Sequence, residues 1–326
     1  MFLVAVLLLV FSRLACAATY NLPNGTLPAG CSRSGGTVTC GSLNLSWNDI
    51  ITVSGKNRIL NINGNASLAN TQINIDGSAG DLTINISGQL TTGSSFGSVA
   101  NINVGGSANL ASANHITGNL TANTIQTNSN TTIVGNLIGG TVSTGSANTV
   151  DGNISGSMVT INSSNSTING SIQATSHVHI SSGSTVNGDI SGVNITTTSA
   201  VALNGNIVAS GDFTLASGSS VAGSVSAKSI TLLSSNANIG GSATADETIT
   251  LNWNGTVTGD ATAPHIISNG GQIYGGAYCD TSGGSTPVVC SSSGGDCSPF
   301  IGQATINEVH VSGNNTRFIE IKMLDE

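Results

Sequence analysis

A five-residue pattern, aliphatic-x-Gly-x-aliphatic, recurs through the middle of the chain and constrains its fold more than any other feature. Val, Ile or Leu stands two residues before each central glycine, and an aliphatic residue stands two residues after it. The central glycines follow one another at intervals of 17 or 18 residues and are Gly118, Gly135, Gly152, Gly170, Gly188, Gly205, Gly223, Gly241 and Gly259. Nine copies under one rule indicate stacked, equivalent coils.

A second apolar pair lies about halfway between successive glycines. Val159 with Ile161, and Phe213 with Leu215, are two such pairs, and a polar residue separates the members of each. Alternation with a period of two is typical of a strand with one buried face. Such short strands bury their inner faces only when coil stacks on coil. The sequence therefore predicts an all-β fold, a parallel β-helix (β-solenoid) with 17–18 residues per coil and disulfide-containing caps.

The composition fits a thin interior and not a conventional globular core. Of 326 residues, 43 are Gly, while 7% are charged and 3% aromatic. A narrow core accommodates Val, Ile and Ala and has little room for aromatic side chains. We infer that the repeat glycines lie on the inward side, where the coil is too narrow for a side chain. Weaker matches to the pattern at Gly64, Gly88 and Gly106 indicate an irregular start of the stack.

The basic residues are distributed in a way that excludes nucleic acid as a partner. Between Arg58 and Lys228 the sequence has no Lys or Arg, and the formal net charge is −8. Binding to a polyphosphate requires clustered cationic side chains that replace its counterions.

The first 18 residues have the features of a secretory signal peptide. An apolar run from Phe2 to Phe11 is followed by Arg13 and by the small residues 15–18. The run is too short to cross a bilayer, so we expect no transmembrane span in the mature chain. These features predict a secreted or cell-surface protein, in the periplasm or on the outer surface.

Five cysteines remain after the predicted cleavage, and an exported protein can form disulfides. We predict that Cys31 pairs with Cys40 and that Cys279 pairs with Cys290. Cys297 is then free or bonded to something beyond this chain. The sequence has no C-x-x-C spacing, which argues against zinc.

The repeat resembles a known family. The stretch 186–190, Val-Asn-Gly-Asp-Ile, is similar to the coils of bactofilins, polymer-forming β-helical proteins of bacteria, and the resemblance covers residues 60 to 262. It implies end-to-end self-association through the solenoid ends. The cytoskeletal role of bactofilins is not expected here, because they act in the cytoplasm and lack a cleaved signal.

Both ends of the chain carry a further resemblance. Residues 306–309, Ile-Asn-Glu-Val, and 317–322 look like the first two strands of a lamin-tail-type β-sandwich. Together with the opening Tyr-Asn-Leu-Pro at 20–23, the order is similar to N-terminal regions of large exported proteins associated with mannose-sensitive haemagglutinin (MSHA) pilus biogenesis. This similarity implies envelope or pilus components as partners.

The predicted domain organisation follows from these features. It comprises a signal peptide (1–18), an N-terminal cap (19–55), the β-solenoid (56–263), a C-terminal cap or linker with cysteines (264–303) and the truncated start of a lamin-tail-like sandwich (304–326).

The sequence offers no convincing catalytic or metal-binding group. Asp189 and Asp260 share a register but stand four coils apart, too far to act on one bond. His177 and His179 flank Val178 and should point outward, where we interpret them as solvated surface residues. We therefore predict no enzyme, no metal and no cofactor.

The functional prediction is a non-enzymatic exported scaffold or spacer of the bacterial surface, pilus-associated or self-assembling. The alternative is an adhesin that binds glycan or host protein on the solenoid flank. A polysaccharide-acting enzyme is the least favoured class, since parallel β-helices host such enzymes but the required acid pairs are missing.

Overall fold

The structure is a computed structural model that describes residues 17–162, 164–279 and 288–289. Nearly all of the predicted signal peptide, Cys290, Cys297, the predicted segment 304–326 and much of 264–303 lie outside the described residues. Within the described part, no helix is long and apolar enough to cross a membrane.

The fold is an all-β parallel solenoid of about 13 coils, which confirms the class predicted from the repeat. The described residues contain a single helical element, the 3-10 turn Ala79–Asp81. The chain divides into two compact units, Met1–His177 and Val178–Glu326.

The strands are short, and most have two to five residues. Up to the boundary between the units they are β1 (Thr19–Leu22), β2 (Cys31–Ser34), β3 (Thr37–Cys40), β4 (Leu43–Leu45), β5 (Ile50–Val53), β6 (Arg58–Ile62), β7 (Ala66–Leu68), β8 (Gln72–Ile73), β9 (Leu82–Ile86), β10 (Leu90–Thr92), β11 (Gly97–Val99), β12 (Asn101–Leu110), β13 (His115–Thr117), β14 (Leu120–Thr127), β15 (Thr132–Val134), β16 (Leu137–Thr144), β17 (Thr149–Val150), β18 (Ile154–Ile161), β19 (Thr167–Ile168) and β20 (Ile172–Ile180), which contains the boundary. The second unit continues with β21 (Thr185–Val186), β22 (Ile190–Gly192), β23 (Asn194–Thr197), β24 (Ala202–Leu203), β25 (Ile207–Ala209), β26 (Asp212–Leu215), β27 (Ser220–Val221), β28 (Val225–Leu232), β29 (Asn238–Ile239), β30 (Ala243–Leu251), β31 (Thr256–Val257), β32 (Ala261–Thr262), β33 (His265–Ser268), β34 (Gln272–Ile273), β35 (Ala277–Cys279) and β36 (Val288–Val289).

Each regular coil of the first unit has three faces. The first face is a short strand such as β17, which pairs in parallel with β15 and β19. The second and third faces are the two halves of one long strand, and in β18 they pair with β16 through Ile154 opposite Leu137 and Val159 opposite Val142. We call the residues between the first and second faces the glycine corner, as at 151–153. Those between the third and first faces, as at 145–148, are the turn corner.

The second unit repeats this plan. Its first face is the parallel series β21, β24, β27, β29, β31 and β34. The second face runs through β22, β25, β28, β30, β32 and β35, and the third through β23, β26, β28, β30 and β33. The strands β28 and β30 are continuous across both faces, as β18 is.

The core is a column of inward side chains that succeed one another from coil to coil. Val150, Ile154 and Val159 are at most 1% exposed. Burying such a side chain fully contributes about 1.5–3 kcal/mol relative to exposure, so stacking supplies most of the stability. Phe96 and Phe213 are completely buried as well, so the interior accommodates single phenylalanines that the sequence argument disfavoured.

Antiparallel hairpins occur near both ends of the described chain. In the first unit, β2 pairs antiparallel with β3, with Cys31 opposite Cys40, and the predicted disulfide joins these two residues. In the second unit, β36 pairs antiparallel with β35. Cys279 is disulfide-bonded, and its predicted partner lies outside the described residues.

The early glycines do not belong to the same series as the later ones. Gly64 follows β6 and precedes β7, so it lies between the second and third faces, and Gly88 and Gly106 stack on it in turn. The residue beneath Gly118 is instead Ala100. The early coils do differ from the later ones, but their three glycines occupy another corner, because the five-residue pattern fits either of two tight corners.

Candidate functional site

The repeat glycines form a column in which each backbone rests on the previous one. A Cβ built on Gly135 would lie 2.3 Å from the carbonyl oxygen of Gly118. In the second unit, a Cβ on Gly205 would lie 2.4 Å from the carbonyl oxygen of Gly188. Contacts under 3.0 Å are essentially never seen for real Cβ atoms. The obstacle is thus the preceding coil, and not only a narrow interior as the sequence argument held.

Next to most of the repeat glycines, an outward polar side chain accepts a backbone N–H of the coil that follows. The Oδ1 atom of Asn119 accepts the backbone N–H of Asn136 at 2.9 Å, Asn136 accepts that of Asn153 at 2.8 Å, and Asn153 accepts that of Ser171 at 2.8 Å. We call this series the capping column. It satisfies backbone donors that the corner leaves without a strand partner.

The capping column of the second unit includes the two aspartates considered as catalytic candidates. Asp189 accepts the backbone N–H of Asn206 at 2.7 Å, and Asp260 accepts that of Gly276 at 2.7 Å. In the coils between these two aspartates, the hydroxyl of Ser224 accepts the backbone N–H of Ser242, and the hydroxyl of Ser242 accepts that of Asp260. The register shared by Asp189 and Asp260 therefore has a structural reason.

Buried polar side chains at the turn corner form hydrogen bonds between neighbouring coils on the inside of the stack. Asn148 is 2% exposed, and its Oδ1 accepts the N–H of Thr131 at 2.7 Å. Its Nδ2 donates to the hydroxyl of Thr127 at 2.6 Å and to the carbonyl of Gly145 at 3.2 Å. In the second unit, the Ser219 hydroxyl accepts the N–H of Val201 at 3.0 Å. The sequence argument missed these residues, although their position two residues before an inward aliphatic residue was a usable signal.

The turn corner places a residue of most coils in the left-handed region, and in one coil two residues, Ser235 and Asn236. In the first unit these residues include Ser95, Ala113, Asn130, Ala147 and Asn165, with φ between 53° and 64°. Ala200, Gly218, Asn236 and Asn254 are examples from the second unit. Glycine and asparagine adopt this conformation readily, whereas alanine is strained by its Cβ.

We expect Ala147→Gly to raise the free energy of unfolding by about 0.5–1 kcal/mol, because relief of left-handed strain exceeds the extra backbone entropy of glycine. Urea unfolding followed by circular dichroism measures the change. The control is Ala122→Gly, at a buried strand position without positive φ, which should lower stability. A loss of stability at position 147 would contradict the strain argument.

The titratable side chains are dispersed. His177 is exposed and its ring contacts the Ser176 hydroxyl, while His179 bonds Thr196 at 3.0 Å. Lys228 and Glu247 form an ion pair at 3.2 Å in which both side chains are about half exposed. In the part of the chain that the structure describes, no three His, Cys, Asp or Glu side chains converge on a metal position.

A groove of about 570 Å³ lies beside β1, β5 and β8 in the first unit. Its walls are two long corners, because Leu60 follows Ile51 by nine positions and its strand partner Ile84 follows Ile73 by eleven, whereas Ile154 follows Val150 by four. The lining residues are Thr19, Ile50, Ile51, Thr52, Val53, Gly55, Lys56, Asn74, Ile75, Asp76, Gly77 and Asp81. This groove was not predicted, although the longer spacing was its signal.

Apolar, polar and charged side chains line the groove, and some of the polar ones are already engaged in hydrogen bonds within the protein. The Asp81 carboxylate accepts the backbone N–H of Ser78 at 2.8 Å, and the Asn74 amide donates to the carbonyls of Ser78 and Val99. These hydrogen bonds stabilise the conformation of the loop formed by residues 74–81. Lys56 and Asp76 are the other charged residues of the lining.

Comparison with known proteins gives no family. No family model matches the chain, and no curated protein or solved structure matches it significantly.

Proposed function

We propose that this chain is an exported, non-enzymatic structural scaffold or spacer of the bacterial surface. The observation that supports it is the capping column, in which outward polar side chains bond the next coil, as Asn136 bonds Asn153 and Asp189 bonds Asn206. Most coil boundaries in each unit thus carry side-chain bonds in addition to their backbone ladders. Such a stack resists sliding and peeling of its coils, as a spacer requires.

The hairpins favour a monomer over an end-to-end polymer. Among the described residues of the first unit, the last strand of the second face is β2, which is antiparallel to the coils, and β36 has the same relation to β35 in the second unit. An added parallel coil would meet one strand of opposite polarity. Natural proteins protect strand edges in this way against pairing with other chains.

The proposal extends to the kind of repeat and to the place of the protein on the cell surface. The aliphatic-x-Gly-x-aliphatic coils support a bactofilin-like repeat used outside the cytoplasm. The order of the predicted signal peptide, the Cys31–Cys40 hairpin, the solenoid and the lamin-tail-like segment supports an exported surface protein associated with a pilus.

Sedimentation velocity and cell fractionation test the proposal. For purified residues 19–326 we expect one species whose sedimentation coefficient is the same from low to high micromolar concentration. In cells, the full-length chain should be found in the periplasmic or surface fraction with its first 18 residues removed. Filaments that lengthen with concentration would indicate the polymer instead, and a cytoplasmic, uncleaved chain would refute export.

A further inference from the structure

The two tryptophans of the chain occupy the same register of the coil and are both exposed. Trp47 and Trp253 each stand at a turn corner, directly before a left-handed asparagine, Asn48 or Asn254. Their side chains are 63% and 65% exposed. A solvent-exposed indole offers a large, flat, apolar face with one polar N–H at its edge.

In both places the following coil is one residue shorter at this corner. In the first unit, Ile51 follows Leu45 by six positions, but their strand partners Leu68 and Ile73 are five positions apart. The N–H of Asn48 donates to the carbonyl of the short corner, at Asn70, over 2.9 Å. The short corner therefore has no residue opposite Trp47.

The second unit has the same arrangement. Val257 follows Leu251 by six positions, and their partners Ile273 and Ser268 are five apart. Here the ring of Trp253 lies over the short corner, because a Cβ built on Gly270 would be 2.9 Å from its Cε3 atom. Gly270 has φ +94°, so both its conformation and the ring above it favour glycine. One part of the indole is thus supported by backbone while the rest is open.

The surroundings of the exposed rings are polar and uncharged. Asn252 and Asn254 flank Trp253, and the amide of Asn269 in the next coil donates to that of Asn252 at 3.0 Å. Ser46 and Asn48 flank Trp47. The nearby acid in the first unit, Asp49, is buried, and its two oxygens accept the backbone N–H groups of Ala18 and Ser46.

We propose that each tryptophan is a stacking platform for one pyranose ring of a neutral glycan. The C–H face of a sugar ring packs on an indole, and its hydroxyl groups bond the flanking amides and hydroxyls. A charged ligand finds no complementary charge there, and a protein partner would need a wider apolar surface. One ring on one platform gives weak binding, with a Kd in the millimolar range. The inference does not depend on the scaffold proposal.

Intrinsic fluorescence distinguishes the two platforms. Trp47→Phe leaves Trp253 as the only tryptophan, and Trp253→Phe leaves Trp47. Each variant is titrated with cellopentaose, chitopentaose and maltopentaose, and with a pentamer of galacturonic acid as the charged comparison. We expect a saturable change in emission with at least one neutral sugar in both variants, and a weaker response to the charged one.

A double variant, Trp47→Ala with Trp253→Ala, tests binding by saturation-transfer NMR, which needs no fluorophore. We expect loss of the sugar signal with an unchanged thermal unfolding curve, because both side chains are exposed. The matched control is Tyr274→Ala, an aromatic residue 68% exposed at another register, which should bind normally.

Two outcomes would overturn the proposal. The first is the absence of a saturable response to every neutral sugar in the unmodified chain, which decides the matter even if the double variant does not fold. The second is a sugar signal that persists without both tryptophans. If the double variant loses stability, the titrations of the unmodified chain and of the two single-tryptophan variants decide instead.

Discussion

Gly170→Leu is expected to abolish cooperative folding of its coils. A Cβ at this position would lie 2.4 Å from the carbonyl oxygen of Gly152 and 2.5 Å from Oδ1 of Asn153. The first contact is with backbone in the glycine corner, which is held between the paired strands β17 and β18, so neither coil can yield locally. Even Gly170→Ala should cost about 3 kcal/mol, at the upper end of overpacking effects, and leucine more. Thermal melting followed by circular dichroism measures both.

The matched control is Gly218→Asn at a turn corner. Gly218 has φ +68°, but the nearest atom to a built Cβ is 3.8 Å away, and asparagine stands at the same register in other coils. We expect a change within about 0.5 kcal/mol. If Gly170→Leu melted like the unmodified chain, the stacked glycine column would be wrong.

The second large effect is expected at Asn148. Asn148→Ala removes the partners of the Thr131 N–H and the Thr127 hydroxyl in the preceding coil, while the Gly145 carbonyl keeps the hydroxyl of Ser166 at 3.0 Å. Each buried polar group left without a partner costs about 1–3 kcal/mol, so the free energy of unfolding should fall by at least about 2 kcal/mol. Urea unfolding is the appropriate measurement.

The comparison for Asn148 is Asn128→Ala, because Asn128 stands at a turn corner of the same unit with its side chain in solvent. That variant should unfold like the unmodified chain. Equal stability of the two variants would mean that solvent or neighbouring side chains satisfy the Thr131 N–H and the Thr127 hydroxyl, and that the buried amide is not a coil-to-coil link.

The sequence was sufficient for the architecture because one local rule determines it. The interval between Gly135 and Gly152 and the alternation around Val159 specify strand length, inner face and coil period together. The pairing of Cys31 with Cys40 was also predictable, since the hairpin between them is short. Local patterns of this kind need no information about neighbouring coils.

What could not be predicted depends on contacts between coils. Gly64 and Gly118 satisfy the same local pattern at different corners, and only strand pairing tells them apart. Asn148 and Asn153 are likewise indistinguishable by type, because asparagine suits any turn, yet one points inward and the other outward. The groove near Lys56 arises from two long corners in successive coils, a feature of pairs of coils and not of one.

The opposite directions of the two side-chain columns have a consequence for how such a gene can change. On the outside, the Asn136 side chain accepts a backbone N–H from the following coil. On the inside, the Asn148 side chain accepts a backbone N–H from the preceding coil. A coil of this kind therefore both donates and accepts side-chain hydrogen bonds with its neighbours. Duplicating or deleting one whole coil in frame restores all of these bonds, whereas any other length breaks them. Evolution can therefore adjust a stack of this kind in discrete increments of one strand spacing, about 4.8 Å.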